Sequence, residues 1–336
     1  PHHGICASPL NDPAFVHDAG APAGQLAVPY HRRTGMELEP ADPVVGYKVC
    51  PEAPCFRMGK RHEGAAGDRV STVIRYHERG NRRLLVNALL SLLAQAGCRV
   101  RPCIGVQDLP EPAASDLLRA LEALPWAEDC RPLVCFFHST PERPDLRSVM
   151  LNEMLRAAGP DYVGFLDYDD ILFPDAYATL LARLRMTGMN ATFGRVYSTT
   201  VDETRGLITR RDQIYDYGRS YENFIARNHA PVHSFLLDTR KLDLSKIEYF
   251  DDMKYMEDYY LSLQIFSPNQ TDWQSLNLNK FIGDYNHFVG SSSDTLAVSD
   301  PEKRRDLLSS PEYRLSEVRI AELKQRIAAK HLARLT

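Results

Sequence analysis

The run Asp161-Tyr162-Val163-Gly164-Phe165-Leu166-Asp167-Tyr168-Asp169-Asp170 places a short apolar segment directly ahead of three carboxylates in four positions. Tyr162–Leu166 reads as a buried strand, because it is continuously apolar and too short for a helix. Asp167, Asp169 and Asp170 then repel one another at its end and weaken the fold unless something neutralises them. A hard divalent cation does so, and Mg²⁺ typically takes one or two protein carboxylates together with phosphate oxygens and water. A helix N-terminal cap near Pro174 accounts for Asp170 or Asp175. It does not account for all three acids at one strand tip, so the segment reads as a metal–phosphate site.

Working outward, this strand is the fourth in a series that begins at Asp68. Val70–Tyr76 is a β-branched strand, followed by a turn and a helix with Leu85, Leu89, Leu92 and Leu93 on one face. Arg99–Val106 and Leu133–Phe137 are further strands, and Ala113–Leu124 and Leu146–Ala158 are helices, the latter closed by Gly159-Pro160. Pro174 is expected to open the next helix as a first-turn proline, with Tyr177, Leu180, Leu181 and Leu184 facing inward. Such alternation with short connections predicts an α/β fold, a mostly parallel sheet with helices on both faces. Ligands of such sheets bind beyond the carboxyl ends of the strands. That places Arg75, Tyr76 and His77, Gln107 and Asp108, His138, and Asp167 to Asp170 where chemistry is expected.

Three sections follow from the pattern. Residues 1–67 are rich in Pro and Gly and poor in periodicity, and read as an irregular N-terminal extension. Residues 68–299 form the α/β domain, and 300–336 an amphipathic helical tail. The chain has 336 residues, 44% of them apolar and 25% charged, which is ordinary for a soluble globular protein. A formal net charge of −4 gives no general attraction for nucleic acid. No run reaches the ~20 apolar residues of a membrane span, and no export signal is evident, so a cytoplasmic location is expected. Seven cysteines, three pairs of them spaced alike (Cys50/Cys55, Cys98/Cys103, Cys130/Cys135), do not match zinc knuckles and read as buried thiols.

The acidic segment resembles the D-x-D segment of family 2 glycosyltransferases, which have the GT-A fold, Rossmann-like with a mostly parallel sheet flanked by helices. Ser71-Thr72-Val73-Ile74-Arg75-Tyr76-His77-Glu78-Arg79 is similar to that family's opening nucleotide-binding strand. Asn152 matches a polar position on the helix before the acids. Tyr249-Phe250-Asp251-Asp252 and Met256-Glu257-Asp258-Tyr259-Tyr260-Leu261-Ser262-Leu263 resemble its phenylalanine-aspartate turn and downstream E-D motif. The resemblance covers roughly 69–295, and the order and separation of the segments carry it.

The resemblance implies a metal-dependent, inverting hexosyltransferase that moves a sugar from a nucleotide-diphosphate donor, most often UDP-linked, to a glycan or lipid-linked acceptor in bacterial surface polysaccharide synthesis. Asp169 is then the ligand of Mn²⁺ or Mg²⁺, with Asp167 on ribose or metal-bound water and His287 as a further ligand. Tyr76 stacks on the base, Glu78 and Asp108 bind base or ribose, and His77 and Asn152 complete the donor side. Arg75 stands where the family has smaller or neutral residues, and either neutralises a phosphate or pairs with Glu78. Asp258 is the implied general base, with Glu257 orienting the acceptor. His229 and His233, ahead of a strand on the acceptor side, are acceptor-binding groups or ordinary histidines; Pro231 between them argues against a helical zinc pair.

In the tail, Ile320, Leu323, Ile327, Leu332 and Leu335 fall near helical spacing among basic residues. Packing on the main domain, self-association and contact with an anionic membrane on its inner face are all open. Two other functions are weighed. A nucleotidyltransferase needs a Gly-rich basic loop after its first strand, where only Gly80 stands beside Arg79, Arg82 and Arg83. A catalytically silent glycan-binding module is the second.

Overall fold

Val70, Val73, Ile74 and Tyr76 are all buried, as are Ser71 and Thr72 between them. A strand buried on both faces belongs in the middle of a parallel sheet, and β1 (Arg69–His77) lies there, between β2 (Arg99–Gln107) and β4 (Tyr162–Phe165). The computed structural model describes residues 68–77, 80–159, 161–202, 207–213, 220–247, 253–278, 280–288 and 301–332. The extension 1–67, Glu78, the Tyr249–Asp252 turn and the serines after Gly290 lie outside these residues, as do Tyr215, Tyr217 and Leu335.

The main sheet has seven strands in the order β10-β6-β9-β4-β1-β2-β3, with β3 at Leu133–Phe137, β6 at Ala191–Phe193, β9 at Phe235–Asp238 and β10 at Thr271–Asp272. Pairing is parallel except where β9 runs antiparallel between β4 and β6. Helices α1 (Arg82–Leu93), α2 (Glu111–Glu122), α3 (Arg147–Ala158) and α4 (Ala176–Thr187) connect and cover the strands. Asn81 caps α1 by accepting from the Arg83 N–H (2.9 Å). A second sheet, order β5-β11-β7-β8, joins β5 (Ile171–Leu172), β7 (Arg195–Asp202), β8 (Leu207–Asp212) and β11 (Phe281–Phe288).

The α/β fold is as the alternation predicts, but Pro174 is not inside the helix it precedes. Its carbonyl accepts from the Ala96 N–H (2.7 Å), which ties it to the end of α1, and α4 starts two residues later behind Asp175. The helix expected over 113–124 begins two residues earlier, with Pro112 in its first turn. Cys103, Cys130 and Cys135 are buried and Cys98 partly so, all free, and burial pushes their thiols up, which leaves them unreactive.

Gly164 on β4 is a packing requirement. The Tyr177 ring, 1% exposed, crosses it so that its hydroxyl reaches Thr72 Oγ1 (2.8 Å), and a Cβ at Gly164 would sit 2.5 Å from that hydroxyl. Gly164→Ala is expected to destabilise by about 1–3 kcal/mol, as overpacking does. A thermal melt equal to wild type would show that the ring can move aside.

Following α5 (Tyr221–Ala226), α6 (Glu257–Ile265) and the short α7 (Pro301–Ser309), the tail forms α8 (Pro311–Leu332). Ile320 and Leu323 are buried in the core and Ile327 packs against it. Arg326 donates to the Tyr260 hydroxyl (3.1 Å), Lys324 stands 5.1 Å over the Tyr259 ring, and Tyr313 meets Tyr255 at 6.0 Å. Of the three outcomes open for the tail, packing on the main domain is the one described, through Ile320, Leu323 and Ile327. Among the described residues no helix is long and apolar enough to cross a membrane.

Candidate active site

The chain leaves β4 through a turn closed by the Asp170 N–H donating to the Asp167 carbonyl (3.0 Å). It then enters β5, which pairs antiparallel with β11. That pairing brings Asn286 beside the turn: its N–H donates to Asp170 Oδ1 (2.7 Å) and its side-chain amide to the Asp169 carbonyl (2.7 Å). Asp170 is 1% exposed, and its Oδ2 lies 3.1 Å from Nδ1 of His233. His233 is itself 1% exposed and stacked on Tyr285 at 5.9 Å. Asp170 is thus an internal anchor of the turn. His233, expected on the acceptor side, is buried behind the acids, where it braces Asp170.

Asp169 is different. Burial, then the charges of Asp170 and Asp167, push its carboxyl well above the ordinary carboxylate range, and Arg75 offsets only part of this. A hard cation relieves such crowding, and carboxylate oxygens are its preferred donors. Asp169 together with Asp167 fits one. Among the described residues no three His, Cys, Asp or Glu side chains converge to cage an ion. His287 follows Asn286 on β11, its ring 4.8 Å from Tyr285, and burial pushes its imidazole toward the neutral form.

The Arg75 side chain, on β1, donates to Asp167 Oδ1 (2.9 Å) and, through its other terminal nitrogen, to Glu257 Oε1. Among the described residues its partners are thus the strand-tip acid and the E-D motif. Burial works against its charge, but Asp167 and Glu257 outweigh that and hold it protonated. Arg147, at the start of α3, faces the same Glu257 and is paired with Asp145. Next to Glu257, Asp258 opens α6 and accepts from the Tyr259 N–H (2.7 Å). A helix N-terminus stabilises a carboxylate by about 0.3–1 kcal/mol, but burial and the Glu257 charge prevail and push Asp258 up to about 7.

Two non-glycine residues among those described have positive φ: Asp108 (54°), after β2, and Met256 (58°), before Glu257. Strained backbone of this kind persists where the surroundings over-determine it, and it clusters at functional sites. The Asp108 carboxylate accepts from the Ser139 N–H (2.8 Å) and the Gln107 amide (2.9 Å). Against the effect of burial, these bonds keep it below the ordinary range.

Tyr76 departs from its expected role. It is 4% exposed, its hydroxyl donates to the Gly80 carbonyl (2.9 Å), and it meets Tyr168 edge-on at 5.5 Å. A ring buried in that way has no face for a base. Asn152 is likewise buried, at 6%, inside α3. Tyr168, partly exposed and also edge-on to His77 at 5.5 Å, is the aromatic of the acidic turn itself. Sequence reading also missed Arg147 and Asn286. An asparagine in a strand is a weak signal, since the residue is depleted there, and nothing local marked Arg147.

The overall arrangement of strands and helices is one that solved proteins share. The S. aureus TarS fragment 1-349 in complex with UDP-GlcNAc matches with a TM-score of 0.50 at 13% identity, over 76% of this chain and 71% of that one. The fold is GT-A. A second structure of S. aureus TarS matches at 0.48 and 13%, over 76% of this chain but 42% of that one. Mannosyltransferase PcManGT from Pyrobaculum calidifontis, in complex with GDP-Man and Mn²⁺, matches at 0.40 and 15%, over 61% and 54%. No protein-family model and no curated protein matches the chain. At these identities the GT-A likeness speaks for the fold alone.

Proposed function

We propose that the chain is a glycosyltransferase of the inverting family 2 type, transferring a hexose from a nucleotide-diphosphate donor, UDP-linked by preference, to a glycan or lipid-linked acceptor. The observation that carries this reading is the presence of two unlike acids in one charged cluster around Arg75 and Asp167. Asp169 stands in a crowd of carboxylates suited to a cation, while Asp258 has its proton affinity tuned to about 7. Pairs of acids pushed to different tasks mark acid–base chemistry.

In this mechanism Asp258 takes the proton of the acceptor hydroxyl as that oxygen attacks the anomeric carbon, and the diphosphate leaves from the opposite face. A base near 7 is deprotonated in about half the molecules at neutral pH, yet still basic enough to accept a proton. The Tyr259 N–H on Oδ1 fixes the rotamer and leaves Oδ2 for the acceptor. Asp169 with Asp167 would hold Mg²⁺ or Mn²⁺, which when bound would supply positive charge against what builds on the departing diphosphate. Asp108, His77, Glu78 and Asn152 belong to the donor side in this reading, and His287 to the diphosphate. A cytoplasmic enzyme working at the inner face of the plasma membrane on lipid-linked acceptors suits the basic tail, with the tail packed as described.

Calorimetry with UDP, with and without Mn²⁺, followed by a nucleotide-sugar panel scored for donor hydrolysis, tests the proposal. UDP binding that needs the cation, and release of UDP from one sugar nucleotide above the rest, are expected. Reaction of a nucleoside triphosphate with a sugar phosphate would indicate a nucleotidyltransferase instead. Glycan binding with no nucleotide binding would indicate a silent module.

A further inference from the structure

Arg75 lies on β1, Asp167 just after β4, and Glu257 and Asp258 at the head of α6. These elements are joined through the Arg75 side chain. Arg75 reaches Asp167, 92 residues away in sequence, with one guanidinium nitrogen and Glu257, 182 residues away, with the other. The three side chains are 15%, 29% and 10% exposed, so the bridge is largely shielded from water. Arg75 is well placed to act as a fixed point, because it sits on a strand paired on both sides, at Gly105 on β2 and beside the end of β4. The residue it holds follows Met256, whose left-handed backbone needs outside support to persist.

We infer that Arg75 is a positioning residue whose forked guanidinium ties the donor-side Asp167 to Glu257 and thereby sets where the neighbouring Asp258 stands relative to the donor. The inference rests on the glycosyl-transfer reading and deepens it. A lysine cannot reproduce the bridge, since its ammonium is a point charge without the planar fork that meets two carboxylates at once. A residue that simply bound the donor diphosphate would act on donor affinity. A residue that positions the base acts on turnover.

The experiment compares wild type with Arg75→Gln, Arg75→Lys and Glu257→Gln in steady-state kinetics and in hydrogen exchange of the 253–265 peptide. Arg75→Gln is expected to lower kcat about 10²-fold with donor KM changed less than about twofold, because misplacing a reacting group costs on that scale. Arg75→Lys should recover part of the loss. Glu257→Gln should resemble Arg75→Gln, and the double variant should be no worse than either single one, since both break one bridge. Exchange in 253–265 should quicken about tenfold in Arg75→Gln, while peptides of β1 and β4 are unchanged. A raised donor KM at unaltered kcat, or unaltered exchange in 253–265, overturns the inference. Wild-type protein inert toward all donors would sink the glycosyl-transfer reading, and the exchange result would still decide whether the bridge holds α6.

Discussion

Asp258→Asn is expected to lower kcat by about 10²–10⁴-fold, the range attributed to a general base, while UDP affinity stays within about twofold of wild type. The variant keeps the size and the acceptance of the Tyr259 N–H, and loses the ability to take a proton. In the wild type, kcat should rise with pH through about 7 and level off above it, because only the ionised carboxylate accepts the acceptor proton. That limb should vanish in the variant. Turnover equal to wild type, or a wild-type profile flat between pH 5 and 8, would remove Asp258 as the base.

The same substitution carries a stability prediction of opposite sign. The folded-state pKa of Asp258 lies above its ordinary value of 3.8, so the folded chain binds the proton more tightly than the unfolded one. The favourable contribution is therefore present at low pH and is lost as pH rises from about 4 through about 7. Asn abolishes that loss. At pH 8 the variant should melt higher than wild type by about 2–4 °C for each 1 kcal/mol recovered, and at pH 4 the two should coincide. An inactive but more stable variant is the pattern expected where a catalytic group is held in an unfavourable setting.

The order from β1 to β4 was legible because each strand and helix there declares itself locally, whereas the second sheet and the short strands β6 and β10 were not read. Leu133–Phe137 coincides with β3, and the acids after Tyr162–Phe165 stand at a strand tip as read. What failed was the direction of individual side chains. In a sheet covered on both faces no alternation tells inside from outside, so Tyr76, at a strand end, reads like a platform and is in fact core. His233 failed for a related reason: the antiparallel insertion of β9 between β4 and β6 carries the residues just before it behind the acidic turn. The Arg75–Glu257 bridge spans 182 residues. No local pattern encodes a contact of that separation, although Arg75 had already stood out as a charge where the family resemblance implies a smaller side chain.

Asp169→Asn should weaken cation-dependent UDP binding by about 10²–10³-fold, since a bound ion is worth several kcal/mol and each 1.36 kcal/mol is tenfold. The four acids differ in their settings. Asp170 is taken up by Asn286 and His233, Asp167 by Arg75, and Asp258 stands at the head of α6. Asp169 carries the crowding of Asp170 and Asp167 with only partial relief from Arg75. Removing its charge relieves that crowding, so without nucleotide or cation the variant should melt at or above the wild-type temperature at pH 8. Loss of affinity in a protein at least as stable separates a binding role from a structural one. Undiminished Mn²⁺-dependent UDP binding in Asp169→Asn would place the ion elsewhere, and a lowered melting temperature would make the carboxylate a structural partner of the turn.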